Sequence, residues 1–120
     1  MTKTGTTRRP NKVYAFPATV KTAVQALQAK KALDVTVLDL RKADGFTDFF
    51  VICTGTNPRQ IKAIVEGIEQ AIKIAFDEPP ALIEGLRQSE WVLVDYFHFI
   101  VHVFSRDARA YYALDQLWGN

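Results

Sequence analysis

The chain has 120 residues, 48% of them hydrophobic and 23% charged, with a formal net charge of +2. That length supports one hydrophobic core but not two, and the composition excludes the charge-rich, aromatic-poor pattern of a disordered chain. The charge is uneven: residues 1–33 hold seven Lys/Arg and no acid, leaving eight Lys/Arg against thirteen Asp/Glu in the rest, which describes a basic tail and first helix on an acidic body and argues against a whole-surface nucleic-acid binder.

Residues 1–16, rich in Thr, Arg, Lys and Pro, read as a flexible basic tail, and residues 17–120 as the folded domain. Pro17 suits a first helical position, where a missing N–H costs nothing. Val20, Ala23, Val24 and Leu27 then recur at helical spacing through about Ala32. The β-branched run Val35 to Leu40 predicts a strand, Lys42 to Gly45 a turn, and Asp48 to Thr54 a second strand. Asn57 and Pro58 provide a cap and a first-turn proline, so a helix is expected from Pro58 to about Ala75, with Ile61, Ile64, Val65, Ile68 and Ile72 on one face. A short strand is expected over Leu82–Glu84. Two β-rich runs, 91–95 and 98–104, form a hairpin around Tyr96 and Phe97, and a last helix runs from Arg106 to Trp118 on a stripe of Ala110, Tyr111, Leu114, Leu117 and Trp118. The order αββαβββα predicts an α/β (α+β) domain, one mixed sheet of about five strands packed with helices.

In that hairpin Asp95 would oppose His98, Leu93 would oppose Ile100 and Trp91 would oppose His102, all on one face. Val92, Val94, Phe99, Val101 and Val103 would take the other. The second set is wholly apolar and belongs under helices. The first mixes Trp, Leu, Asp and His and is expected to be partly exposed, with the aromatic area and charge of an interaction hot spot.

No stretch reaches the ~18 apolar residues of a membrane span, and no signal core follows the basic N-terminal residues, so a cytoplasmic protein is expected. The single cysteine, Cys53, lies in an apolar run and reads as a small buried hydrophobe. Common phosphate, zinc and nucleophile motifs are absent. His98 and His102 would be ~13 Å apart on a strand, too far for one metal ion. The enzyme reading that remains would gather Asp39, Asp48 and Asp95 around Mg²⁺ for nucleotidyl transfer, with Thr54-Gly55-Thr56 as a phosphate cradle, although that tripeptide also describes an ordinary strand-to-helix turn.

Six linked segments are more specific: Val37-Leu38-Asp39-Leu40, Thr47 to Thr56, Glu84-Gly85, Trp91 to Tyr96, Val101-His102-Val103-Phe104 and Tyr111 to Trp118. In this order and spacing, over residues 20–118, they resemble the Iojap/RsfS family of ribosomal silencing factors. The resemblance implies a nucleotidyltransferase-like fold without catalytic apparatus or cofactor, often a homodimer. It also implies docking on the large ribosomal subunit through its L-fourteen-family protein, so that joining of the small subunit is blocked and translation falls when nutrients are short. By the same resemblance Trp91, Leu93, Asp95, Tyr96 and His102 form the recognition surface, with Asp48 nearby or fixing the preceding turn, and Phe49 and Arg59 matching further family positions. The basic tail would add at most a weak contact with ribosomal RNA. Phe97 stands where the family usually has glycine, and Asn57 where it usually has serine.

Overall fold

A computed structural model describes residues 16–43, 45 and 47–113. The elements follow the predicted order: α1 (Ala18–Ala29), β1 (Leu33–Asp39), β2 (Phe49–Gly55), α2 (Pro58–Phe76), β3 (Leu82–Glu84), β4 (Trp91–Asp95), β5 (Phe99–Ser105) and α3 (Arg106–Tyr112). Pro17 caps α1 from just outside, its carbonyl accepting the Lys21 N–H at 3.1 Å. The helix ends earlier than its apolar stripe suggests, because Lys31 turns left-handed (φ 64°) and the Ala32 N–H returns to the Leu27 carbonyl at 3.0 Å. Asn57 caps α2 as its sequence position demands, its side-chain oxygen accepting the Gln60 N–H at 2.9 Å. At the other end Asp77 takes a left-handed conformation and pairs with Lys73 at 2.7 Å.

Five strands form one mixed sheet in the order β1-β2-β5-β4-β3. Only β2 and β5 run parallel; the other neighbours are antiparallel. The helix α2 has to carry the chain back before the later strands can add, which leaves β5 at the centre. On one face α1 and α2 bury Val20, Ala23, Leu27, Ile61, Ile64, Val65, Ile68 and Ile72 against Phe49, Val51, Cys53, Val92, Val94, Phe99, Val101 and Val103. Each fully buried aliphatic or aromatic side chain here contributes ~1.5–3 kcal/mol. Phe16, assigned above to the tail, packs its ring 5.5 Å from that of Phe49 and belongs to this core; residues 1–15 lie outside the described residues.

Among the described residues the opposite face has less cover. Of these, Leu38, Leu40, Phe50, Ile52, Ile100 and Phe104 pack with Ala108 of the seven-residue α3, with Trp91 and Leu93 at the margin. Ser105 caps α3, accepting the Ala108 N–H at 3.1 Å. Arg109 fixes it to the sheet by donating to the Asp34 carbonyl and the hydroxyls of Thr54 and Thr36 at 3.0, 3.0 and 3.3 Å. This orientation turns Ala108 and Tyr112 toward the sheet and leaves Ala110 and Tyr111 in solvent, against the stripe expected from the sequence. Leu114, Leu117 and Trp118 of that stripe lie outside the described residues.

Candidate interaction face

The hairpin turn holds three residues, Tyr96, Phe97 and His98, rather than two. The Tyr96 N–H donates to the Phe99 carbonyl at 2.9 Å, so Asp95 pairs with Ile100, Leu93 with His102 and Trp91 with Phe104. The register is displaced by two positions from the expected one. Because strand side chains repeat every two residues, each residue within β4 and β5 keeps its predicted face, whereas His98, expected beside Asp95, lies in the turn with its Nε2 3.0 Å from the Thr19 hydroxyl of α1, on the helix side. Trp91, Leu93 and Asp95 therefore share the thin face of the sheet with Ile100, His102 and Phe104, and β3 extends it through Leu82 opposite Asp95 and Glu84 opposite Leu93.

Burial divides the expected contact residues. Trp91, Leu93 and Asp95 are half-buried, and Asp48 and Arg59 are exposed. His102, expected on an accessible surface, is 3% exposed, and Tyr96 and Phe49 are each 1% exposed, within the core under the helices. Tyr96 lies on that side because it continues the alternation of β4, in phase with Val92 and Val94. Its ring stacks on Phe99 at 4.9 Å, its hydroxyl has no hydrogen-bond partner, and burial, with Glu69 and Glu78 nearby, pushes its ionisation up to about 12. Arg59 stands in the first turn of α2, the helix that packs on the face opposite Trp91.

His102 acts from beneath the surface. The Trp91 indole Nε1–H donates to His102 Nδ1 at 3.0 Å, so that nitrogen must be unprotonated and the neutral ring carries its proton on Nε2, a buried atom with no partner. The imidazole meets the Phe50 ring edge-on at 4.5 Å and stacks near Phe104. Burial in this aromatic setting lowers its pKa from 6.5 to about 4. Three rings in all hold Trp91, with centroids 5.9 Å away for His102, 5.1 Å for Phe104 and 4.6 Å for Tyr112. A tryptophan pinned in this way keeps one edge toward solvent at little conformational cost on binding. Tyr112 is 45% exposed and Tyr111 82%, so α3 widens the aromatic surface. Sequence reasoning placed Tyr111 and Tyr112 in a motif but not at this surface; their position depends on the Arg109 anchor.

The hairpin tip is braced from both ends. Asp95 Oδ1 accepts the Phe97 N–H at 2.7 Å, and the Thr47 hydroxyl donates to the Phe97 carbonyl at 2.8 Å. Asp48 fixes the adjoining turn through its backbone, donating to the His98 carbonyl at 3.1 Å and accepting from Leu40 N–H at 2.8 Å. Gly85 makes the return into β4 possible: its φ is +86°, and a Cβ there would lie 2.1 Å from the Trp91 carbonyl oxygen.

Asp39, Asp48 and Asp95 come to the same end of the sheet without converging. Asp39 is paired with Arg41, and among the described residues no group of three His, Cys, Asp or Glu side chains could hold a metal ion. In the Thr54-Gly55-Thr56 turn the Thr56 N–H and hydroxyl both donate to Gln60 Oε1, at 2.6 and 2.8 Å, and Gly55 lies against Ile61 with no room for a Cβ. Those donors close a turn instead of facing a phosphate. Among the described residues no helix is long and apolar enough to cross a membrane.

Fold and site together define a small α+β domain in which, among the described residues, one sheet face is well covered and the other, rich in aromatic side chains, thinly so. The family model described as ribosomal silencing factor during starvation (RsfS) matches residues 14–120, and the chain belongs to this family, which places it among regulators of translation. A ribosomal silencing factor RsfS from Halalkalibacterium halodurans is 39% identical over 100 residues, covering 82% of this chain and 83% of that protein. The mitochondrial assembly of ribosomal large subunit protein 1 of Mus musculus is 30% identical over 97 residues, 79% of this chain and 42% of that longer protein. A crystal structure of a protein from Chromobacterium violaceum superimposes with a TM-score of 0.80 at 33% identity, covering 85% of this chain and 84% of that one.

Proposed function

We propose that this protein silences translation in the cytoplasm by docking on the large ribosomal subunit through the L-fourteen-family protein and so excluding the small subunit, with no catalytic step. The observation that carries this reading is the pinned Trp91 on the thin sheet face, with Leu93 and Asp95 beside it on one strand and His102 beneath it. An aromatic anchor set among acidic groups suits a basic protein partner, the aromatic supplying residence time and Asp95, Glu84 and Asp48 supplying electrostatic steering. The names of the relatives support the same reading, one printed as a silencing factor and another as an assembly protein of the large subunit. Tyr96, Phe49 and His102 serve the face from below, and Trp91, Leu93 and Asp95 touch the partner.

Co-sedimentation with isolated large subunits tests this. Wild type is expected to pellet with the subunits, less so as salt rises, while a Trp91→Ala variant shown by circular dichroism to be folded stays largely in the supernatant. Wild type remaining in the supernatant at low and moderate salt would contradict the reading.

A further inference from the structure

At the tip of the hairpin Phe97 combines two features that a side chain ordinarily avoids. Its φ is +71°, in the left-handed region that favours glycine, and its ring is 72% exposed. Nothing in the local backbone requires the ring. The turn is set by main-chain groups: Tyr96 N–H to the Phe99 carbonyl and His98 N–H to the Tyr96 carbonyl, both at 2.9 Å, with the Asp95 carboxylate holding the Phe97 N–H and the Thr47 hydroxyl its carbonyl. Every one of these bonds would form with glycine at position 97, which would also relieve the backbone. The phenyl ring therefore costs the isolated fold stability and leaves an apolar group in water.

The same bonds make the ring a rigidly aimed projection. The Asp95 carboxylate that holds it belongs to the proposed docking strand, and Asp48 lies exposed at the adjoining turn. An apolar knob on a fixed stalk, with Asp95 bonded to its backbone and Asp48 at the adjoining turn, fits a partner surface with an apolar hollow rimmed by Lys or Arg. We infer that Phe97 is a further contact residue of the docking face, its ring entering such a hollow on the large-subunit protein that Trp91 also meets. This rests on the reading given under Proposed function and adds a residue and a pocket chemistry to it.

Binding to isolated large subunits at one fixed ionic strength, together with thermal unfolding, tests the assignment with Phe97→Gly, Phe97→Asn and Phe97→Tyr. Asn tolerates the left-handed conformation and controls for the added mobility of Gly. The Gly and Asn variants are expected to melt at or above the wild-type temperature yet bind ~10-fold more weakly, a typical anchor loss, while the Tyr variant binds like wild type. Gly and Asn variants that bind like wild type, or a Tyr variant as weak as they are, would overturn the Phe97 contact alone. Wild type that fails to bind would overturn the docking reading and this inference with it.

Discussion

Acidification from pH 7 toward 4 is expected to remove about 3 kcal/mol of stability through one side chain, with the magnitude set by the surroundings of His102. Its imidazole titrates at about 4 in the folded protein instead of 6.5, because Phe50, Phe104 and Trp91 exclude the water that an imidazolium needs. Each tenfold change in proton affinity is worth ~1.4 kcal/mol, which sets the size of the effect. Between about 4 and 6.5 the unfolded chain binds more protons than the folded one, so stability is complete above 6.5 and falls as the pH drops through that window. Protonation also places a hydrogen on Nδ1, the atom that accepts the Trp91 indole N–H, so the anchor loosens over the same range. Urea unfolding from pH 4.5 to 7.5, followed by tryptophan fluorescence, is the assay. A His102→Gln variant serves as reference, because the carboxylates titrate alike in both proteins and cancel in the difference. Parallel pH profiles for the two, or a His102 resonance that titrates near 6.5 in the folded protein, would refute the reasoning.

Gly85→Ala forces a Cβ into the Trp91 carbonyl at a φ of +86° and is expected to cost more than ~2 kcal/mol, read as a fall in the urea midpoint. Tyr96→Phe deletes a buried hydroxyl with no partner, so it is expected to leave stability unchanged or raise it by up to ~1 kcal/mol, measured by thermal unfolding, and to leave large-subunit binding intact. Cys53 is fully buried, and burial pushes its thiol up to about 12. A thiol-reactive dye is expected to label it only at the rate of unfolding, and rapid labelling of the native protein would contradict its place in the core.

Where local chemistry decided the outcome, the sequence was legible. The Asn57-Pro58 pair marked the start of α2, and the alternation of Trp91 to Asp95 against Val101 and Val103 sorted the two sheet faces even though the hairpin register was displaced by two. What was not legible depends on contacts across the fold. Tyr96 reads as a loop residue next to a surface strand, but its bond to Phe99 carries the alternation of β4 one residue further and sets its ring beside Val92 and Val94 in the helix-side core. His102 reads as polar and accessible, and becomes buried because Phe50 from β2 and Trp91 from β4 close over it from neighbouring strands. Three carboxylates near strand ends suggest a metal site, yet the pairing of Asp39 with Arg41 and the capping of Phe97 by Asp95 give two of them separate partners. The parallel pairing of β2 with β5, separated by α2 and two other strands, follows from tertiary packing that no local pattern encodes.

Occlusion is the central claim, and it is tested most directly by mixing isolated large subunits with the protein, adding small subunits, and measuring joined ribosomes on a density gradient. Wild type is expected to suppress joining in proportion to its occupancy of the large subunit, and Trp91→Ala to leave joining at the level seen without protein. Joined ribosomes at full yield with the large subunit saturated by wild type would show that binding does not exclude the partner subunit, and would contradict the account.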